Sequence, residues 1–173
     1  MIANSLSSSC QTKAYLRRLR KAYRELSARY CDYHLTLAAN RNTMSAKDMT
    51  FMSLEHFRDC VRDFHKRIDT ELLGTRASKR RKDLRTDGLM FVEHVGRNIH
   101  GHAAVVFAGN GQKTLEELQE MCSRHWSAVC PGGDLLVQAE FDGGPGLYVS
   151  KEMERGHYDF DQTILLSTFV SKD

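Results

Sequence analysis

The stretch that decides the fold is IHGHAAVVF at 99–107, together with the apolar run LMFVEHV at 89–95. Both runs are rich in residues that favour strands, and the GRN sequence at 96–98 between them is typical of a tight turn. The pattern therefore predicts two antiparallel strands joined as a hairpin. Because side chains alternate along a strand, His100 and His102 lie on one face and their apolar neighbours on the other.

Helices and further strands are predicted on both sides of this hairpin. Apolar spacings of three and four predict helices at 13–29, 53–73 and 115–126, and a short helix is predicted at 147–154. Strands are predicted at 33–37, 135–141 and 163–170, and a solvated, mobile loop at 75–87. This order favours an α+β domain, in which an antiparallel sheet of about five strands carries helices on one face and leaves the other face open.

The whole-chain composition indicates one intracellular domain. The 173 residues and 41% apolar content suit a single core, with 1–12 as a flexible N-terminus and 13–173 as the domain. Five cysteines without a C-x-x-C pair are typical of reduced thiols. No apolar run approaches the roughly 20 residues that cross a bilayer, and no export signal is apparent, so we expect no membrane partner.

The two strand histidines are candidate metal ligands. His100 and His102 lie about 7 Å apart along their strand, close enough to converge on one ion. A two-residue turn at 96–97 would place Glu93 opposite His100 on the same face, whereas a register shifted by one residue would present His94 instead. Two imidazoles and a carboxylate leave positions open for a substrate phosphate, and the sequence predicts a divalent ion there, Mn²⁺ or Mg²⁺.

A candidate nucleophile follows in the segment YVSK at 148–151. A spacing of three places Tyr148 and Lys151 on one side of a helical turn. Because the pKa of free tyrosine is about 10, Tyr148 needs a polarised phosphate and a nearby cation in order to attack phosphorus. Lys151 can supply that cation.

Three motifs occur in a suggestive order: YHLTL at 33–37, HGH at 100–102 and YVSK at 148–151. In this order the chain resembles the HUH endonucleases, specifically the single-tyrosine replication initiators of rolling-circle plasmids and viruses. The resemblance covers 33–151. Gly101 departs from the family's pattern, which usually has a bulky apolar residue between the two histidines.

The resemblance implies a five-stranded antiparallel sheet with the active site on its open face, and makes 13–173 one HUH-type nuclease domain. Members cleave single-stranded DNA at an origin or element end, in some cases at a hairpin, and leave tyrosine bonded to the 5′ phosphate. Tyr148 and Lys151 would then be catalytic, and replication proteins such as a helicase would be further partners. The expected location is the cytoplasm for a bacterial source and the nucleus for a eukaryotic element.

Candidate DNA contacts come from a strand residue and from the basic run in the middle of the chain. Basic side chains near a groove bind phosphates of the DNA backbone. The residues concerned are Thr36, Arg76, Lys79, Arg80, Arg81 and Lys82.

Three alternatives stay open at this point. A transposase or relaxase would share the chemistry and differ only in its DNA target. A noncatalytic module would bind single-stranded nucleic acid on a similar sheet. A metal-dependent hydrolase would use the same ligands with water as the nucleophile and form no covalent intermediate.

Overall fold

The structure is a computed structural model, and it describes residues 32–39, 51–109, 112–139 and 159–169 together with a few positions between 17 and 29. Within the first predicted helix, the described residues 17–18, 21–22 and 25–26 are helical. The predicted N-terminal tail and the predicted short helix at 147–154 lie outside the described residues.

The described part of the chain forms an antiparallel sheet of five strands. They are β1 (Tyr33–Ala38), β2 (Asp87–Glu93), β3 (His100–Val106), β4 (Asp134–Ala139) and β5 (Thr163–Leu165). Their spatial order is β4-β1-β3-β2-β5, and each neighbouring pair is antiparallel. The predicted α+β class is thereby confirmed, and β3, the strand with both histidines, lies in the middle of the sheet.

The last strand is shorter than the sequence predicts. The predicted strand at 163–170 ends at Leu165 and continues as a 3₁₀ turn, Leu166–Phe169. Two side-chain hydrogen bonds account for this end. The hydroxyl of Thr168 donates to the Leu165 carbonyl at 2.6 Å, and the backbone N–H of Ser167 donates to the Asp87 carboxylate at 3.0 Å. Such local bonds compete with a strand ladder.

Two long helices cover one face of this sheet. Helix α1 (Leu54–Leu73) begins after Ser53, whose hydroxyl accepts from the His56 N–H, and α2 (Leu115–Val129) begins with a capping box between Thr114 and Glu117. The helices and the sheet share one apolar core. Among the described residues, no helix is both long enough and apolar enough to cross a membrane.

Met90, on the neighbouring strand, fills the space beneath Gly101, the second residue of β3. A Cβ atom built on Gly101 would lie 2.6 Å from Met90 Sδ and 3.3 Å from Phe57 Cε1. Met90 on β2 and Phe57 on α1 are both fully buried. Met90 thus occupies the volume that a larger side chain at position 101 would take, and the core under β3 is closely packed despite the glycine.

The basic segment before β2 is more ordered than the predicted loop at 75–87. It contains two 3₁₀ turns, Ala77–Lys79 and Lys82–Leu84. Its C-terminal end is buried, because Arg85 Nε donates to the Asp69 carboxylate at 2.7 Å and the Thr86 N–H donates to the same carboxylate at 2.9 Å. The prediction of a fully solvated loop is therefore wrong at this end, where a buried ion pair ties it to α1.

The other face of the sheet carries the predicted metal ligands. Three apolar residues near the centre of this face are buried, each at most 1% exposed: Leu89, Phe91 and Ala104. These three residues lie outside the core cluster formed with the helices. The candidate ligands are therefore set in an apolar surrounding, where electrostatic interactions are stronger than in water.

Candidate metal centre

The hairpin of β2 and β3 fixes which side chains meet. Glu93 pairs with His100, and Phe91 pairs with His102. This register is the one predicted, but the prediction of a two-residue turn at 96–97 is wrong. Residues 94–99 connect the strands, and the Arg97 N–H donates to the His94 carbonyl at 3.0 Å. Since partners in an antiparallel pair share a face, Glu93 lies beside both histidines on the face opposite the helices.

One carboxylate oxygen and two imidazole nitrogens converge at this point. Glu93 Oε2 lies 3.3 Å from His100 Nε2 and 3.7 Å from His102 Nε2. One ligand atom from each of the three residues falls within 4.8 Å of the others. Three donors around one divalent ion are about 3 to 3.5 Å apart, so the two distances from the carboxylate oxygen are close to those of a metal site.

The far nitrogens of both rings are held by hydrogen bonds. His100 Nδ1 lies 3.1 Å from the Asn98 carbonyl, which can only accept, so Nδ1 carries the proton. His102 Nδ1 lies 3.1 Å from the Thr36 hydroxyl on β1, its cross-strand partner. Bonds of this kind orient metal-ligating histidines and leave Nε2 directed at the ion.

The donor set fits a divalent cation. Were the His100 ring neutral, its Nε2 lone pair would face a carboxylate oxygen, and two acceptors at this distance repel each other. Either a proton on Nε2 or a metal cation between the two atoms removes this repulsion. Glu93 is only 3% exposed and His102 6% exposed, and a carboxylate in such a position requires positive charge nearby. The group formed by Glu93, His100 and His102 could therefore hold a metal ion.

His94 adjoins the three-residue group without joining it. Its backbone has a φ of 56°, in the left-handed region that is uncommon for a residue with a side chain. Its ring stacks on His100 with centroids 4.8 Å apart, and its Nε2 lies 4.0 Å from Glu93 Oε2. Of the two alternatives for the third position, the register places Glu93 inside the group and leaves the exposed His94 at its edge.

Sequence reasoning missed the part played by His34. The sequence pattern places His34 only within the YHLTL motif, whereas in the structure it is 2% exposed and stacks nearly parallel on His102, with centroids 5.6 Å apart. Its Nδ1 lies 3.4 Å from the side-chain oxygen of Gln138 on β4. The signal was available in the alternation of YHLTL, since His34 and Thr36 share a face and β1 neighbours β3.

The remaining predicted residues are placed as follows. Tyr148 and Lys151 lie outside the described residues, so their catalytic roles stay predictions. Of the basic residues, Arg76, Lys79, Arg80 and Arg81 are exposed, and the side chain of Lys82 is not described. Arg81 forms two hydrogen bonds to the Asp83 carboxylate, at 3.0 and 2.8 Å. Their role in DNA binding also stays a prediction.

Comparison of the chain with protein-family models, with curated protein sequences and with solved structures found no match.

Proposed function

We propose that this protein is a metal-dependent endonuclease and strand-joining enzyme for single-stranded DNA, acting through a covalent 5′-phosphotyrosine and initiating rolling-circle replication. The observation that supports it most directly is the convergence of Glu93, His100 and His102 at the middle of an antiparallel sheet. The order of the sequence motifs adds Tyr148 and Lys151 to this site.

The ligand set suits phosphoryl transfer. Three protein donors leave several positions of a six-coordinate ion for substrate oxygens, as a Mn²⁺ or Mg²⁺ site requires. A divalent cation held there supplies positive charge that polarises the scissile phosphate. His100 and His102 keep their Nε2 atoms directed at this position through the bonds of their Nδ1 atoms to Asn98 and Thr36.

Tyr148 and Lys151 would perform the transfer. The phenolic oxygen of Tyr148 forms a bond to phosphorus, and the bond between phosphorus and the 3′ oxygen breaks. The phenol gives up its proton, and the departing 3′ oxygen takes one up as a hydroxyl. Lys151 stabilises the phenolate by its charge. Attack by that hydroxyl on the phosphotyrosine reverses these steps and rejoins strands.

The same metal group could support two other functions. In a hydrolase, water would replace Tyr148 as the nucleophile, and the DNA would be cut without an adduct. A noncatalytic binding sheet stacks bases on exposed aromatic side chains. Among the described residues on the face of the sheet that carries the ligands, Phe91 is fully buried and cannot stack on a base. This favours the catalytic function over the noncatalytic binding sheet.

The decisive experiment incubates the purified chain with pooled single-stranded oligonucleotides and Mn²⁺ and separates the products on a denaturing gel. We expect a protein–DNA band that disappears with EDTA and with Tyr148→Phe. Glu93→Gln should abolish the band while leaving the fold intact by circular dichroism. Tyr158→Phe is the matched control, because that tyrosine lacks a lysine three positions later. Cleavage that survives Tyr148→Phe would establish the hydrolase instead.

Metal binding is measured separately by calorimetry with Mn²⁺ and Mg²⁺ in the absence of DNA. Glu93→Gln and His102→Ala should each weaken binding strongly, whereas Tyr148→Phe should not change it. Unchanged metal affinity in both ligand variants would refute the proposed centre independently of any DNA sequence.

A further inference from the structure

Two cysteines meet where the helices pack against each other, on the opposite side of the sheet from the metal ligands. Cys60 lies in the first half of α1, and Cys130 directly follows the last residue of α2. Both are buried, at 6% and 4% exposure. They are far apart in sequence and belong to neither the metal group nor the predicted nucleophile.

The side chain of Cys60 extends to the end of α2, beside Cys130. The Cys60 thiol donates to the Val129 carbonyl across 3.5 Å, so its sulfur reaches the residue next to Cys130. The thiol of Cys130 is within hydrogen-bond reach of the Cys60 sulfur. The backbone N–H of Cys130 is tied to the Trp126 carbonyl at 2.8 Å, which fixes Cys130 at the end of α2.

The two sulfurs differ in acidity. The hydrogen bond from Cys130 lowers the pKa of Cys60 to about 7, and His56 acts in the same direction against burial and the carboxylates of Asp59 and Asp63. The same thiol contact raises the pKa of Cys130. A pair with one thiolate and one neighbouring thiol is the arrangement that reacts with oxidants and then closes to a disulfide.

We propose that Cys60 and Cys130 form an oxidisable pair, in which a peroxide converts the two thiols to a disulfide that joins α1 to the end of α2. The Cys60 thiolate attacks one oxygen of the peroxide, the O–O bond breaks, and Cys60 becomes a sulfenic acid while hydroxide leaves and takes up a proton from solvent to become water. The Cys130 sulfur then attacks the Cys60 sulfur, the S–O bond breaks, and water leaves with the Cys130 proton. Two electrons pass to the peroxide, which is reduced to water.

The rest of the core provides a matched control. Cys122, on α2, is fully buried, and burial raises its pKa to about 12. It should stay a thiol under conditions that oxidise the pair. This reactivity does not depend on the proposed nuclease function, so the two can fail separately.

The test treats the reduced, native full chain with hydrogen peroxide, blocks the remaining thiols and maps tryptic peptides by mass spectrometry. Cleavage after lysine and arginine puts all five cysteines in different peptides, with Cys60 in 59–62 and Cys130 in 125–151. We expect these two peptides to appear linked, with the loss of two hydrogen atoms, and to separate on reduction. The Cys122 peptide, 114–124, should stay unlinked.

Three cysteine variants test which sulfur is oxidised first and which one closes the disulfide. Cys60→Ser should prevent the cross-link, Cys130→Ser should leave Cys60 as a trappable sulfenic acid, and Cys122→Ala should cross-link like the parent chain. The parent measurement decides the matter even where a variant fails to fold. The proposal is overturned if the native chain consumes peroxide with Cys60 and Cys130 both still blocked as thiols, or if Cys60 is linked to another cysteine.

Discussion

Replacing Gly101 with alanine tests whether Met90 really fills the space below the two histidines. The added Cβ would lie 2.6 Å from Met90 Sδ and 2.9 Å from Met90 Cγ, about 1 Å closer than an ordinary carbon contact. Overpacking of this kind costs about 1 to 3 kcal/mol, and alanine regains about 0.5 to 1 kcal/mol of chain entropy relative to glycine. We expect Gly101→Ala to lower the free energy of unfolding by about 1 to 2 kcal/mol.

The measurement is urea unfolding followed by far-UV circular dichroism, with Met90→Ala and the double variant alongside. Met90→Ala alone should cost about 2 to 5 kcal/mol by leaving a cavity. In the double variant the new methyl group lies in that cavity, so the combined loss should fall short of the sum of the single losses by about 1 kcal/mol. Additivity within about 0.5 kcal/mol, or a more stable Gly101→Ala chain, would refute the reasoning.

Three further predictions concern the site, the buried ion pair and the basic segment. Thr36→Val should weaken Mn²⁺ binding about 10- to 100-fold, because His102 loses the hydrogen bond that orients its ring. In calorimetry Thr36→Ser should bind Mn²⁺ like the parent chain, and equal losses in both variants would contradict this. Asp69→Asn should lower the free energy of unfolding, measured in urea, by about 3 to 5 kcal/mol, because it leaves the buried Arg85 without its partner. Asp83→Asn, which removes an exposed ion pair, should lower it by less than about 1 kcal/mol. Similar losses in the two variants would argue against the buried pair. If the chain binds single-stranded DNA as proposed, Arg80→Ala should reduce the salt dependence of that binding by about 0.7 in logarithmic slope, and an unchanged slope would contradict the predicted contact of Arg80.

Much of the hairpin and its site could be predicted from local rules. Strand alternation put His100 and His102 on one face, and pairing the two apolar runs about 96–97 gave the observed register, with Glu93 beside His100, although the connection itself is longer than predicted. These relations span only a few residues along the chain. Local patterns therefore determined them, and the ligand group followed from the register.

The features that sequence reasoning missed depend on residues far apart in the chain. Arg85 lies in the segment 75–87 that the sequence predicts as a solvated loop, but it is buried in an ion pair with Asp69 of the preceding helix. The Thr36 hydroxyl meets His102 only because β1 pairs with β3. Position 101 is a glycine because Met90, on the neighbouring strand β2, fills the space that a side chain there would need. The pattern of residues along β3 alone could not indicate this.

The single tryptophan of the chain gives this core an optical reporter. Trp126 is fully buried on α2, its indole N–H donates to the Ala38 carbonyl at the end of β1, and its ring meets Phe57 and Phe64 edge-on at 5.9 and 5.8 Å. Because emission of a buried indole is blue-shifted and moves to the red on contact with water, the fluorescence of the native chain should come from one site that touches both helices and the sheet. A change in its wavelength or lifetime can thus be assigned to this junction without an attached dye.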